Sequence, residues 1–324
     1  MKTTKLRVLG VLGLAVLLGG AAAPPSPVAD AAMRRDITAV RALLRTGADV
    51  NGAQGDGMTA LHWAARHDDV ELAVLLIRSK ANQNALTRIG AYTPLHVAGE
   101  AGSARVVAAL LKAGSNAKLI TSTGVTALHL AALGGSAAAT RALLDHGADM
   151  NAKEPAWGQT PLMIAASHGR TEAVKVLLKG GADHRIAARV VDLMELAATD
   201  RLGRQRRNQT LADFRTQQGA PQAWRPDPKQ VQVAVRAGLA AEKQPAASTA
   251  SAASEEETAG GGGGDEDVAG FTAMVGFQGG LTALLLAVRE GHVPTVQALL
   301  DAGADINQPI VADNTTPLLL ASIN

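Results

Sequence analysis

A four-residue opening recurs along this chain at a nearly fixed step. Thr59-Ala60-Leu61-His62, Thr93-Pro94-Leu95-His96, Thr126-Ala127-Leu128-His129 and Thr160-Pro161-Leu162-Met163 have their threonines 34, 33 and 34 residues apart. A second marker keeps the same step: Gly47-Ala48-Asp49-Val50-Asn51, Lys80-Ala81-Asn82-Gln83-Asn84, Gly114-Ser115-Asn116, Gly147-Ala148-Asp149-Met150-Asn151 and Gly181-Ala182-Asp183. After a long gap the pattern returns at Thr282-Ala283-Leu284-Leu285, Gly303-Ala304-Asp305-Ile306-Asn307 and Thr316-Pro317-Leu318-Leu319. A unit of this length cannot bury an apolar face alone, so such units must stack on their neighbours.

Each unit reads locally as two short helices and a loop. Thr is a good N-cap, and Pro at the next position suits the first helical residue, which needs no N–H. Leu61, Ala64 and Ala65 form a stripe at i, i+3, i+4, and the paired alanines let helices approach closely. A turn such as Gly134-Gly135 or His168-Gly169 follows. The second helix carries Val106-Val107 and Leu110-Leu111 or their equivalents. It ends at a glycine suited to a left-handed cap, as at Gly147 and Gly181.

The two-part motif resembles the ankyrin repeat, with its T-P-L-H-x-A-A opening and G-A-D-V-N close. The resemblance implies an all-α ankyrin-repeat solenoid of helix–turn–helix units with hairpin loops. It also implies that His62, His96 and His129 hydrogen-bond backbone in the hairpin region and hold repeats together. The function implied is protein binding on a concave surface of loop tips and first helices.

Departures from the pattern set the organisation. Residues 28–51 lack the opening and carry Met33, Arg34, Arg35 and Asp36, as a polar end repeat would. The repeats are expected over 24–219: this N-terminal cap, four clear repeats and one degenerate repeat. In the degenerate one, Asp192 replaces Thr, Val190 to Ala198 form the first helix, and the second half from Arg201 to Phe214 is Arg-rich. Thr160 and Thr282 are 122 residues apart, far more than one period. Residues 220–270 are expected to be a low-complexity linker, with Pro221, Pro226 and Pro228 at its start and a short helix over 231–241. About 50 flexible residues span roughly 40 Å, enough to let the stack resume. Residues 271–324 are expected to resume the repeats and to be cut off mid-repeat, as a fragment of a longer chain that also docks on the earlier stack.

The first 23 residues read as a signal peptide. Lys2, Lys5 and Arg7 precede the apolar run Val8 to Leu18, and small residues follow. Cleavage after Ala22 or after Ala23 is open. The run is short of the roughly 18–20 residues a membrane span needs, so an uncleaved anchor is the lesser alternative. Export to the periplasm or medium is expected, and the chain looks like an exported bacterial member of the family. Removing the three cations of this segment leaves 28 basic residues against 29 acidic ones, so the +2 charge of the whole chain does not indicate nucleic-acid affinity.

No cysteine is present, which excludes disulfides, thiolate metal sites, cysteine nucleophiles and CxxCH haem attachment within these residues. Three Phe, three Trp and one Tyr are too few for stacking platforms that hold single-stranded nucleic acid. No HExxH, GxSxG or GxxxxGK[ST] occurs. His62, His96 and His129 occupy equivalent places in successive repeats, roughly 8–10 Å apart. A zinc ion needs ligands at about 2 Å, so they cannot converge. Asp49, Asp149, Asp183 and Asp305 recur once per repeat as loop formers. Arg201, Arg204, Arg206 and Arg207 are the one basic cluster, read first as a solvated helix face and alternatively as a site for an acidic partner or for Glu255–Glu257 of the chain's own linker.

The function expected is a non-catalytic, monomeric protein-binding scaffold with no cofactor and no metal. The partner is an unidentified protein; nucleic acid is not expected, nor is membrane unless the N-terminal segment is uncleaved. Trp157, in the loop Glu154-Pro155-Ala156-Trp157-Gly158, is the leading anchor, since Trp, Tyr and Arg dominate hot spots. Tyr92 and Arg88 lie in another loop, and Met58, Gln54 and Val125 take comparable places. Trp63 stands where the pattern has aliphatic residues and is assigned to packing. The alternative is a recognition module of a longer exported protein with a catalytic or haem domain beyond residue 324.

Overall fold

The recurring Thr starts a helix each time, and the computed structural model shows how. It describes residues 26–219, 224–243 and 277–323. The export segment expected at 1–23 and the low-complexity stretch at 244–270 lie outside them. Thr93 Oγ1 accepts from His96 N–H at 3.3 Å, Thr126 Oγ1 from His129 N–H at 3.4 Å, and Thr282 Oγ1 from Leu285 N–H at 3.5 Å. Each bond satisfies one of the orphan donors of a helix start.

The described residues form two units. The first comprises 26–155, 160–165 and 170–182. Its helices pair within each repeat: α1 (Pro27–Met33) with α2 (Ile37–Arg45), and α3 (Ala60–Arg66) with α4 (Val70–Arg78). α5 (Pro94–Glu100) pairs with α6 (Ala104–Lys112), and α7 (Ala127–Gly134) with α8 (Ala137–Asp145). α9 (Pro161–Ser167) and α10 (Thr171–Lys179) follow. First helices pack on first helices, α1 to α3 to α5 to α7, and second helices on second helices, α4 to α6 to α8 to α10.

The core follows the repeat. Leu61, Leu95, Leu128 and Leu162 are buried on the first helices, and Leu76, Leu110, Leu143 and Leu177 on the second. Burial of each such side chain contributes about 1.5–3 kcal/mol. The paired alanines Ala64-Ala65 and Ala131-Ala132 are fully buried, so the first helices meet with little between them. Gly99 stands where those repeats have their second Ala. A Cβ there would lie 2.8 Å from the Ala127 carbonyl oxygen of α7, a contact that backbone cannot relieve cheaply. Second helices end at the expected left-handed glycines, with φ of 78° at Gly147 and 94° at Gly181. Lys80 takes the same place with φ 65°.

The second unit comprises 156–159, 166–169 and the described residues from 183 onward. β1 (Val190–Asp192) pairs antiparallel with β2 (Phe277–Gly279), Val190 opposite Gly279 and Asp192 opposite Phe277. An isolated bridge joins Ala187 to Thr282. In an uninterrupted repeat the same bridge joins Ile120 to Thr126. Residues 188–281 therefore stand where the tip Thr121–Val125 stands. The insertion interrupts one hairpin loop, and its two ends are held together by strand pairing.

Within the insertion, α11 (Leu193–Gln217) and α12 (Pro228–Glu242) pack against each other. The degenerate repeat expected over 190–214 is thereby corrected: β1 and one 25-residue helix occupy it. Asp192 is a cap, its carboxylate accepting from Met194 and Glu195 N–H at 2.9 and 3.1 Å. No turn signal after it stops the helix. After β2, the chain forms α13 (Ala283–Arg289), α14 (Val293–Asp301) and α15 (Pro317–Ile323). Ala283 to Ala287 are buried. His292 Nε2 lies 3.2 Å from the Ser167 carbonyl, a contact across 125 residues of chain. Residues after the gap thus pair with residues before it inside this unit.

Candidate functional site

The loops of the first unit are built by a relay that starts at the repeated histidine. The Thr59 N–H donates to His62 Nδ1 at 3.1 Å. The neutral ring then carries its proton on Nε2, which donates to the Tyr92 carbonyl of the next repeat at 3.0 Å. His96 repeats this, accepting from Thr93 N–H at 3.2 Å and donating to the Leu119 carbonyl at 3.1 Å. The Thr126 N–H donates to His129 Nδ1 at 3.2 Å. Burial lowers the pKa of His62, and it brings that of His96 down to about 4, because the charged imidazolium would lose its hydration. The His62 and His96 rings are therefore neutral struts. Among the described residues no three His, Asp or Glu side chains lie close enough to share a metal ion.

The closing asparagines add a second set of cross-repeat bonds. Asn51 Oδ1 accepts from Asn82 N–H at 2.6 Å, and Asn84 Oδ1 from Asn116 N–H at 3.2 Å. The recurring aspartates fold their own loops: Asp49 accepts from Asn51 N–H at 2.8 Å and Asp149 from Asn151 N–H at 3.0 Å.

Backbone bonds also tie several tips to a neighbouring tip of the same unit. Arg88 N–H donates to the Asp56 carbonyl at 2.7 Å, and Ser122 N–H to the Gly90 carbonyl at 2.9 Å. In the second unit Arg189 N–H donates to the Trp157 carbonyl at 2.7 Å, and Val311 N–H to that of Gly280 at 3.4 Å. The family model described as "Ankyrin repeats (3 copies)" matches residues 28–120 and 95–188, and that described as "Ankyrin repeat" matches 279–310.

The chain belongs to the ankyrin repeat family.

Its relatives among curated proteins share only part of their length. The ankyrin repeat chain is 39% identical over 88 residues to the nuclear factor NF-kappa-B p105 subunit of Mus musculus, covering 26% of this chain and 9% of that protein. It is 31% identical over 88 residues to glycerophosphocholine phosphodiesterase gde1 of Schizosaccharomyces pombe, covering 27% of this chain and 8% of that one. The chain therefore spans less than a tenth of either relative.

Against this frame the candidate residues divide. Met58 and Tyr92 meet in an open groove of about 260 Å³, lined also by Asp56, Arg66, Ile89, Val97 and Glu100. The Tyr92 ring stands edge-on to His96, with centroids 6.1 Å apart. Gln54 is structural: its Nε2 donates to Asp30 at 2.7 Å and its Oε1 accepts from the Trp63 indole at 2.8 Å. Trp63 stacks on His67, in keeping with a packing role. Arg88 is a latch between loops, its guanidinium donating to the Gly55 carbonyl at 2.7 Å. Val125 is half-buried and closes its own loop, its N–H donating to Thr121 Oγ1 at 3.1 Å and its carbonyl accepting from Thr121 N–H at 2.9 Å. Trp157 belongs to the second unit and is 54% exposed.

Sequence reasoning missed the most exposed apolar residues of the first unit's loops. Ile89 is 79% exposed at a tip, and Leu86 and Ile120 are exposed beside it in sequence and in the next loop. The signal was present: each is a large aliphatic residue in a polar loop segment. A larger recess of about 510 Å³ lies on the second helices, lined by Arg41, Leu44, Arg45, Leu75 and Ser79. Its cations are engaged, Arg41 by Glu71 and Arg45 by the Arg41 carbonyl, so it offers a partner less than the loop groove.

Proposed function

We propose that this chain is a non-catalytic protein-binding module whose loop tips and first-helix groove hold a protein partner. Ankyrin repeats are in general protein–protein interaction modules, and fold alone does not name the partner. The observation that carries the reading is the pairing of a rigid frame with exposed apolar tips. Ile89 and Ile120 project from hairpins whose backbones are bonded to their neighbours, and the Met58–Tyr92 groove lies beside Ile89. Preorganised tips lose little entropy on binding. Trp157 offers a separate anchor in the second unit. The basic-then-apolar N-terminus supports export, and the module works as a monomer in the periplasm or medium.

Substitution separates binding from folding. Ile89→Asp and Trp157→Ala should each weaken partner binding while moving stability by no more than about 0.5 kcal/mol, the range of exposed sites. Titration calorimetry with the purified partner and thermal melts of the same samples read both quantities. A variant that melts early would assign the side chain to structure.

A further inference from the structure

The inserted helical hairpin has no counterpart in the repeat and offers its own surface. α11 and α12 cross at two glycines: a Cβ on Gly238 would lie 2.8 Å from the Gly203 carbonyl oxygen and 3.4 Å from Arg207 Cβ. Only Gly203 on α11 and Ala234 and Gly238 on α12 are buried. Measured from these contacts at 100° per residue, Val231, Val235 and Leu239 form one stripe at i, i+4, i+8 along α12. They are 40–51% exposed, and the stripe is about 12 Å long. The same geometry applied to the antiparallel α11 puts Arg204, Arg207 and Arg215 on that side of the hairpin, next to the stripe. Arg204 pairs with Asp200 at 3.1 Å, whereas Arg207 and Arg215 make no ion pair among the described residues.

We propose that this face of the α11–α12 hairpin docks an acidic amphipathic helix of a partner protein, which packs as a third helix. Its apolar ridge lies on Val231, Val235 and Leu239, and its carboxylates meet Arg204, Arg207 and Arg215. Charge decides the occupant. A second copy would set arginines against arginines, and the repulsion would oppose association. A bilayer surface is disfavoured because three short aliphatic side chains would bury little apolar area in it.

The test uses the full chain and three probes. The first is a synthetic amphipathic helix of about 16 residues, a span of about 24 Å that covers the stripe, with Leu at i, i+4, i+8 and Glu on both flanks. The second has Lys in place of Glu, and the third is vesicles of phosphatidylglycerol and phosphatidylcholine. The Glu-flanked peptide should bind, more weakly as salt rises, and the Lys-flanked peptide should not. The double variant Arg204→Glu/Arg207→Glu and, separately, Val235→Asp should each lower that affinity by about tenfold or more. Circular dichroism confirms that each variant stays folded, and Arg207→Ala, which leaves the apolar stripe intact, should give a smaller loss of the same sign. Equal binding of the two peptides, undiminished affinity in the charge-reversed variant, or Arg-dependent binding to vesicles but not to peptide would overturn the proposal. Ile89→Asp should leave this binding unchanged, so failure here is distinct from failure at the loop tips.

Discussion

Acidification from pH 7.5 to pH 4 should destabilise the repeats steeply, and His96 alone should account for about 3 kcal/mol of the loss. The sign follows from the ring's environment. In the folded state its pKa lies near 4, below the 6.5 of a free imidazole, because burial penalises the charged form. Between those values the unfolded chain binds the proton and the folded chain does not, so stability rises with pH. The contribution is full above pH 6.5 and is lost as pH falls toward 4. A difference of about 2.5 units at about 1.4 kcal/mol each gives the magnitude. His62 is shifted in the same direction for the same reason and adds to the slope. Urea unfolding at half-unit pH steps measures it. His96→Gln keeps a group that can accept from the Thr93 N–H, and it should flatten the curve between pH 6.5 and 4. An unchanged slope in that variant would remove His96 from the account.

Leu128→Ala should cost about 2–5 kcal/mol, the range for deleting a buried leucine side chain. Leu128 is fully buried on α7, which packs against α5 and α8, so the void opens at a junction between repeats. The alanine-rich surfaces around it have few long side chains that could swing in to fill the space. In a repeat array stability is carried by nearest-neighbour interfaces, so the damage should be local. Amide exchange should therefore accelerate most in α5 to α8 and less in α1 and α2. A uniform acceleration along the first unit would show that its repeats unfold as one block.

What was legible in the sequence follows from how each feature is encoded. The repeats were legible because each one carries its own cap, stripe and closing loop within 33 or 34 residues. Thr93, His96 and Leu95 each do a local job that their spacing reveals. The insertion point was not legible, because it depends on Val190 pairing with Gly279, and no local pattern announces a partner so distant in sequence. Asp192 read as a substituted Thr opening a repeat, and it does cap a helix, but that helix runs on to Gln217. At the candidate site, Met58 and Tyr92 were legible from their loop positions. Gln54 and Arg88 share those positions yet are engaged within the chain, Gln54 with Asp30 of α1 and Trp63 of α3, and Arg88 with the neighbouring loop. Ile89 was overlooked because residue-type preferences at interfaces favour Trp, Tyr and Arg, whereas exposure is decided by the hairpin.

A partner held at the loop tips of the first unit, and not on its second helices, should crosslink from the tips alone. Site-specific photocrosslinking in the full chain tests it directly, with a benzophenone side chain at Ile89, at Ile120, or at Ala108, which is exposed on α6. One discrete protein adduct is expected, the same from Ile89 and Ile120, and none from Ala108. An adduct from Ala108 with none from the two tips would contradict it.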